Sequence, residues 1–212
     1  MRGGGDSGGT TIAVTSFPLQ AGYQARIKAG SADNFTILGT CSGTATISTG
    51  AATASVFEGV SGFSATQTAT VNLTNCTPAT NAVSGVGYYD ATYVPIGSSV
   101  LGVLYEKFVT APAAIPTSVK VGDTAVVATT TVYADSSKAV VTGHRVLSYV
   151  VEADSANNAI VNLISKASNA ANQPLFTQQS RFRIAADGTL SVLTIDIQYS
   201  TTSTNHLIWT KS

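Results

Sequence analysis

The sequence predicts an all-β protein of mostly antiparallel sheets, with about ten or more strands, little helix, and a sandwich, curved-sheet or barrel-like arrangement. Three observations predict it. Ser and Thr make up about a quarter of the 212 residues while charged residues are only 10%, a mixture that disfavours helices and suits strands. Short runs alternate apolar and polar side chains with period two. Between those runs stand clusters of Gly, Asn, Asp and Ser, the residues of tight turns.

The chain opens on "GGGDSGG", which buries no apolar surface and loses much backbone entropy if ordered, so residues 1–16 read as a flexible tether ahead of a β domain over 17–212. "GYQARIKAG" then places Tyr23, Ala25 and Ile27 on one parity and Gln24, Arg26 and Lys28 on the other, the pattern of a half-buried strand. "NFTILGTCSGTATIS" gives two short strands around Cys41 separated by Gly39 and Gly43, and "TQTATVNLTNC" gives another, from Thr66 to Cys76. The tyrosine-rich stretch "GVGYYDATYVPIGSSVLGVLYEKFVT" reads as strands about a turn at Pro95 to Gly97. "TAPAAIPTSVKVGDT" holds two prolines and reads as an extended connector, so that two subdomains, if present, divide near 111–118.

Beyond the connector, "TAVVATTTVYAD", "HRVLSYVVEAD", "NAIVNLISKAS", "PLFTQQSRFRIAADG", "TLSVLTIDIQYS" and "HLIWTK" are six strand-like runs joined by turn text. Sequential antiparallel pairing is the simplest topology, and "ADG" before Thr189 predicts a hairpin because Asp-Gly tolerates positive φ. In "SRFRI", Arg181 and Arg183 share one face and Phe182 and Ile184 the other. In the next run Leu190, Val192, Thr194, Asp196 and Gln198 alternate with Ser191, Leu193, Ile195, Ile197 and Tyr199. Helical text is confined to "SKASNAANQ" and the Ala-rich stretch near Ala113, and neither carries an apolar stripe.

Cys41 and Cys76 are the only cysteines. An even pair without CxxC spacing or a histidine cluster reads as a disulfide, which implies an oxidising compartment; two buried thiols are the alternative. Zero formal net charge gives no footprint for nucleic acid, and no run of about 18 apolar residues is present to span a bilayer as a helix.

The sequence holds no motif that marks catalytic, metal-binding or cofactor-binding residues. His144 and His206 are the only histidines a Ser–His–Asp hydrolase could use, and the sequence has no GxSxG nucleophile elbow. Glu58, Glu106 and Glu152 are carboxylates available to a glycosidase, but nothing pairs them. "EADSANN", Glu152 to Asn158, clusters oxygen ligands without EF-hand spacing. Asn34, Asn72 and Asn75 begin glycosylation sequons. Tyr88, Tyr89, Tyr93 and Tyr105 are the best candidates for a partner surface, with packing as the competing use of their rings.

The opening "GGGDSGG" and the segments "GTCSGTATIS", "VNLTNCTPAT" and "LSYVVEAD" resemble Gram-negative, proteobacterial outer-membrane or surface lipoproteins, in which a lipidated cysteine precedes a Gly/Ser/Asp tether. In this chain Met1 and Arg2 stand where that cysteine would be. The resemblance implies membrane attachment through an N-terminal lipid anchor, an outer-membrane location on the periplasmic face or the cell surface, and an envelope or host protein partner. The expected function is a non-enzymatic structural or recognition role in the envelope. A periplasmic carrier of lipid or another apolar ligand, and a fimbrial or adhesin-like subunit, are the alternatives.

Overall fold

The computed structural model describes residues 14–200 and 205–212; the expected tether at 1–16 lies almost wholly outside them. Thirteen strands form one antiparallel sheet: β1 (Ser31–Gly39), β2 (Gly43–Thr49), β3 (Thr53–Phe57), β4 (Val60–Leu73), β5 (Thr80–Asp90), β6 (Pro95–Val100), β7 (Leu104–Phe108), β8 (Thr124–Tyr133), β9 (Val141–Ser155), β10 (Asn158–Asn169), β11 (Pro174–Ala185), β12 (Leu190–Tyr199) and β13 (His206–Lys211). Each strand from β4 to β13 pairs with its sequence neighbour, β13 returns to β1, and β1 pairs with β2. The ring closes where β2 pairs with the second half of β4, Gly43 opposite Leu73 and Thr49 opposite Gln67.

The result is an up-and-down barrel of twelve strands with β3 as an extra piece. β3 continues the line of β2 beyond a break at Gly50–Ala52 and pairs with the first half of β4. Phe57 and Val60 close that hairpin around Glu58 and Gly59, whose φ values of 51 and 80 are the two positive angles of a type I′ turn. Strands on both sides of the proline-rich connector at 111–118 belong to this one sheet.

Period-two alternation decides which side of the wall each residue takes. Phe35, Ile37, Ala45, Val192, Ile195 and Trp209 form one buried cluster inside the barrel, while Phe17, Val119, Tyr149, Val151, Val161 and Ile184 belong to another. Outward positions are mainly Thr, Ser, Asn, Gln and charged residues. The row Thr210, Thr36, Thr44, Asn72, Thr80 runs side by side across five strands. An apolar inside and a polar outside invert the pattern of a membrane-spanning barrel, whose outward band is apolar.

Three sequence expectations are corrected. Residues 22–30 do not form a strand: Leu19–Ala29 is an 11-residue α-helix, α1. Its side chains satisfy both periods, and helix-forming Ala, Gln, Arg, Lys and Leu decide between them. Leu19, Tyr23 and Ile27 recur every four residues on one face, and Gly30 ends the helix at φ 74. Pro95 to Gly97 is not a turn but the start of β6. The turn is Ala91–Val94, where the Asp90 carboxylate accepts hydrogen bonds from the Thr92 and Val94 amides and Tyr93 takes φ 66. The alternation in β12 does not run unbroken, because Phe182 faces Val192 and Arg181 faces Thr194. Leu193 is the extra residue of a bulge, which is how Val192 and Ile195 both reach the interior.

Other expectations are met directly. The six runs after the connector are β8 to β13, paired sequentially. "ADG" makes the β11–β12 hairpin, with Gly188 at φ 88. Ile184 is fully buried and Phe182 packs on the inner cluster, while Arg183 reaches outward to Asp154 at 2.8 Å.

Candidate ligand-binding lumen

A twelve-stranded ring is wider than the eight-stranded barrels whose interiors side chains can fill. Here the interior keeps a cavity of about 590 Å³, inside the range of ordinary small-molecule sites. Its wall includes Phe35, Ile47, Leu147, Leu163, Phe182 and Ile195, each inward-facing by the strand period.

Helix α1 lies across one end. The barrel alternates direction strand by strand, so the β5–β6, β7–β8 and β11–β12 connections share that end, and the helix touches each. Gln24 Nε2 donates to the Thr92 carbonyl at 3.0 Å, the Gln20 amide donates to the Pro116 carbonyl at 3.1 Å, and Gly22 packs on the Gly188 carbonyl. A Cβ at Gly22 would collide with that backbone oxygen, so a helix–turn contact this close requires glycine there. Leu19, Tyr23 and Ile27 point into the barrel and close the cavity from above. Burial pushes the Tyr23 phenol well above its ordinary value, and the neighbouring Tyr89 adds to the effect. It therefore stands over the cavity as a neutral hydroxyl.

Part of the side wall is thin. β7 pairs with β8 only from Thr130 to Tyr133, leaving the first half of β8 paired with β9 alone. The connector takes the place of β7 there: the Val109 amide donates to Thr129 and the Ala113 amide to Val127, both at 3.0 Å. Ala113, Ile115 and Pro116 thereby become lining residues. The proline-rich text noticed in the sequence is a strap over the cavity, and two prolines in it remove backbone donors that would otherwise need partners.

Two charged groups interrupt the apolar wall, on opposite sides of the ring. On β1, buried Asp33 accepts from Lys211 Nζ at 2.7 Å and from Arg26 Nη2 at 2.6 Å, and the Arg26 guanidinium lies 5.5 Å from the Phe182 ring centre. Burial alone would raise the Asp33 carboxyl, but the hydrogen bonds and charges of Lys211 and Arg26 outweigh it and hold it below its usual value. On the far wall, buried Glu106 of β7 accepts from the Thr130 hydroxyl, from Ser98 Oγ at 3.0 Å and from Arg145 Nη1 at 3.0 Å. Such burial of a carboxylate is tolerable only with this full set of donors.

The residues singled out from sequence are dispersed. Cys41 and Cys76 form the disulfide, with Cα atoms 5.7 Å apart, and join the β1–β2 and β4–β5 turns at the end opposite the helix. The four tyrosines do not make one surface. Tyr89 and Tyr93 are buried with Ile27 and Ala65 under the helix. Tyr88 and Tyr105 stand on the outer wall about Phe57, at ring distances of 4.2 and 5.5 Å. Adjacent residues on a strand face opposite sides, which separates Tyr88 from Tyr89. Phe57 reaches those rings because Gly97 has no side chain beneath it.

The carboxylates considered from sequence are likewise apart. Glu58 sits on the outer wall beside Lys107 and Lys138, and their hydrogen bonds, with that of Tyr105, lower it to about 2. Glu106 faces the cavity. Glu152 lies outside, 3.4 Å from Arg181. His206 Nε2 is 2.8 Å from Asp196, and His144 lies on the outward face of β9 opposite Thr131.

Sequence reasoning missed Arg26, Asp33, Glu106, Arg145 and Lys211 as inward charges. One signal was available: a charged residue at an otherwise apolar parity, as Asp33 is before Phe35 and Ile37, and Arg145 before Leu147 and Tyr149. No protein-family model, curated protein or solved structure matches the chain. Among the described residues, no helix is long and apolar enough to cross a membrane, which leaves spanning by strands unaddressed.

Proposed function

We propose that this protein is a binding barrel that holds an apolar or amphipathic small molecule in its lumen. The observation that carries the reading is the pairing of a mainly apolar interior cavity of about 590 Å³ with a polar outer wall. Proteins bury apolar side chains against each other at crystal-like density, and an interior left open to this extent is the form of a ligand site. The helix closes one end, and the strap from Val109 to Pro116 covers the thin part of the wall.

This is the carrier role among the alternatives drawn from sequence. Its placement in the bacterial envelope, held by an N-terminal lipid anchor at the outer membrane, is part of the same proposal. The Cys41–Cys76 bridge supports an oxidising compartment. Intact mass measurement of the native protein from its host's membrane fraction tests the anchor: an acylated N-terminus supports it, and an unmodified one overturns it.

The test of the binding role uses N-phenyl-1-naphthylamine, a neutral apolar fluorophore. Saturable one-to-one enhancement is expected, and Ser165→Trp should abolish it without lowering the melting temperature. Ser165 lines the cavity, so the larger side chain occupies it. Absence of saturable binding, or binding unchanged in a folded Ser165→Trp variant, overturns the reading.

A second reading has its own observation. Thr36, Thr44, Thr46, Thr68 and Thr70 form a regular uncharged array on the outer wall of β1, β2 and β4, a surface able to offer hydroxyls and methyls to a polar partner. This supports the structural or recognition role expected for an envelope protein, and the two roles occupy different faces of the same wall.

A further inference from the structure

We propose that the lumen ligand bears a single carboxylate on an apolar body, and that Arg145 is the residue that binds that carboxylate. The proposal rests on the lumen being a ligand site.

Among the described residues, four charges line the lumen, Asp33 and Glu106 against Arg26 and Arg145, joined as the pairs Arg26–Asp33 and Arg145–Glu106, while exposed Lys211 also bonds Asp33. The two clusters differ in what they leave free. At Asp33 one carboxylate is shared by two cations, and Arg26 is further engaged against Phe182. At Glu106 both oxygens are taken, by Thr130, Ser98 and Arg145, so this carboxylate serves to hold the guanidinium in place.

Arg145 has five N–H donors. Among the described residues only Nη1 is used; Nε is buried without a partner and out of a ligand's reach, so the donors left over are those of Nη2. The side chain is 26% exposed and borders the cavity. A planar guanidinium fixed on one edge, with donors left over, matches a planar carboxylate in geometry and charge. The neighbouring wall is aliphatic: Leu147 follows Arg145 on the same inward face, and Leu163 is paired opposite Tyr149 on β10. A guanidinium paired on one edge, with its Nη2 donors unused beside an apolar wall, suits a fatty-acid-like ligand.

The test is calorimetric titration of the full chain with dodecanoate and with dodecanol, both below the concentration at which dodecanoate aggregates. Wild type should bind dodecanoate at least tenfold more tightly than dodecanol. Arg145→Met leaves Glu106 buried without its counter-ion and risks unfolding, so the decisive variant is Glu106→Gln with Arg145→Met, which removes both charges. That variant should keep dodecanol affinity and lose the preference for dodecanoate. Equal wild-type affinity for the two probes, or a preference that survives in the folded double variant, overturns the assignment of Arg145 while leaving the lumen as a site. Failure of both probes to bind wild type overturns the lumen reading itself.

Discussion

Replacing both half-cystines, Cys41→Ala with Cys76→Ala, isolates what the bridge does to the unfolded chain. In the folded barrel the two turns are already held together. β2 and β4 pair between them, the Thr74 amide donates to the Ser42 carbonyl at 2.9 Å, and the Ser42 amide donates to Asn75 Oδ1 at 2.7 Å. The native geometry therefore survives loss of the bridge, and the effect falls on the denatured ensemble. A sequence separation of 35 gives a chain-entropy contribution of about 4 kcal/mol. With a urea slope of about 2 kcal/mol per molar, the midpoint should fall by about 2 M, and the melting temperature by about 8 to 16 °C for a chain of this size. The assay is urea unfolding followed by the fluorescence of Trp209, the sole tryptophan, buried on the inner wall. Reduced wild type should unfold with the double variant. A loss below about 1 kcal/mol, or a reduced wild type that keeps its oxidised midpoint, would refute the reasoning.

Three further outcomes are expected. Phe35→Ala, which empties a fully buried position beside Trp209, should cost about 3 to 5 kcal/mol in the same titration. Glu58→Gln should destabilise the protein near neutral pH and match wild type near pH 2. The folded carboxyl is lowered from 4.5 to about 2, so its contribution is complete above the unfolded value and is lost as pH falls through the folded one; a difference constant across that window would show that charge is not the cause. Gly30→Ala should lower stability by about 1 kcal/mol or more, since its φ is 74 and a Cβ would meet the Thr49 carbonyl; unchanged unfolding would refute the strain at the helix end.

Much of this fold was legible because strands declare themselves with period two. Phe182 and Ile184 against Arg181 and Arg183 is a pattern with one solution when one face must be dry. The turns were legible where local chemistry forces them, as at Asp187–Gly188. The helix was not legible, because Tyr23, Ala25 and Ile27 fit a strand as well as a helix, and the contacts that seat it, from Gln24, Gln20 and Gly22 to Thr92, Pro116 and Gly188, are with residues far away in sequence. The bulge at Leu193 was hidden for a similar reason: it is a property of the pairing with β11, not of β12 alone.

The candidate site was the least legible part. Glu106 and Arg145 lie 39 residues apart and meet only because β7, β8 and β9 are neighbours in the ring. Tyr88 and Tyr89 looked like one aromatic patch and stand on opposite sides of the wall. By itself the sequence determined the class of structure, the antiparallel order of the second half, the cysteine pair and the polar character of one strand face, since each follows from local composition and spacing. Only the tertiary structure decided that the sheet closes on itself, that a helix covers one end, and that the enclosed space keeps an arginine with donors to spare. Closure depends on strand count and on the pairing of β1 with β13 and β2 with β4, which are long-range hydrogen bonds with no local signature.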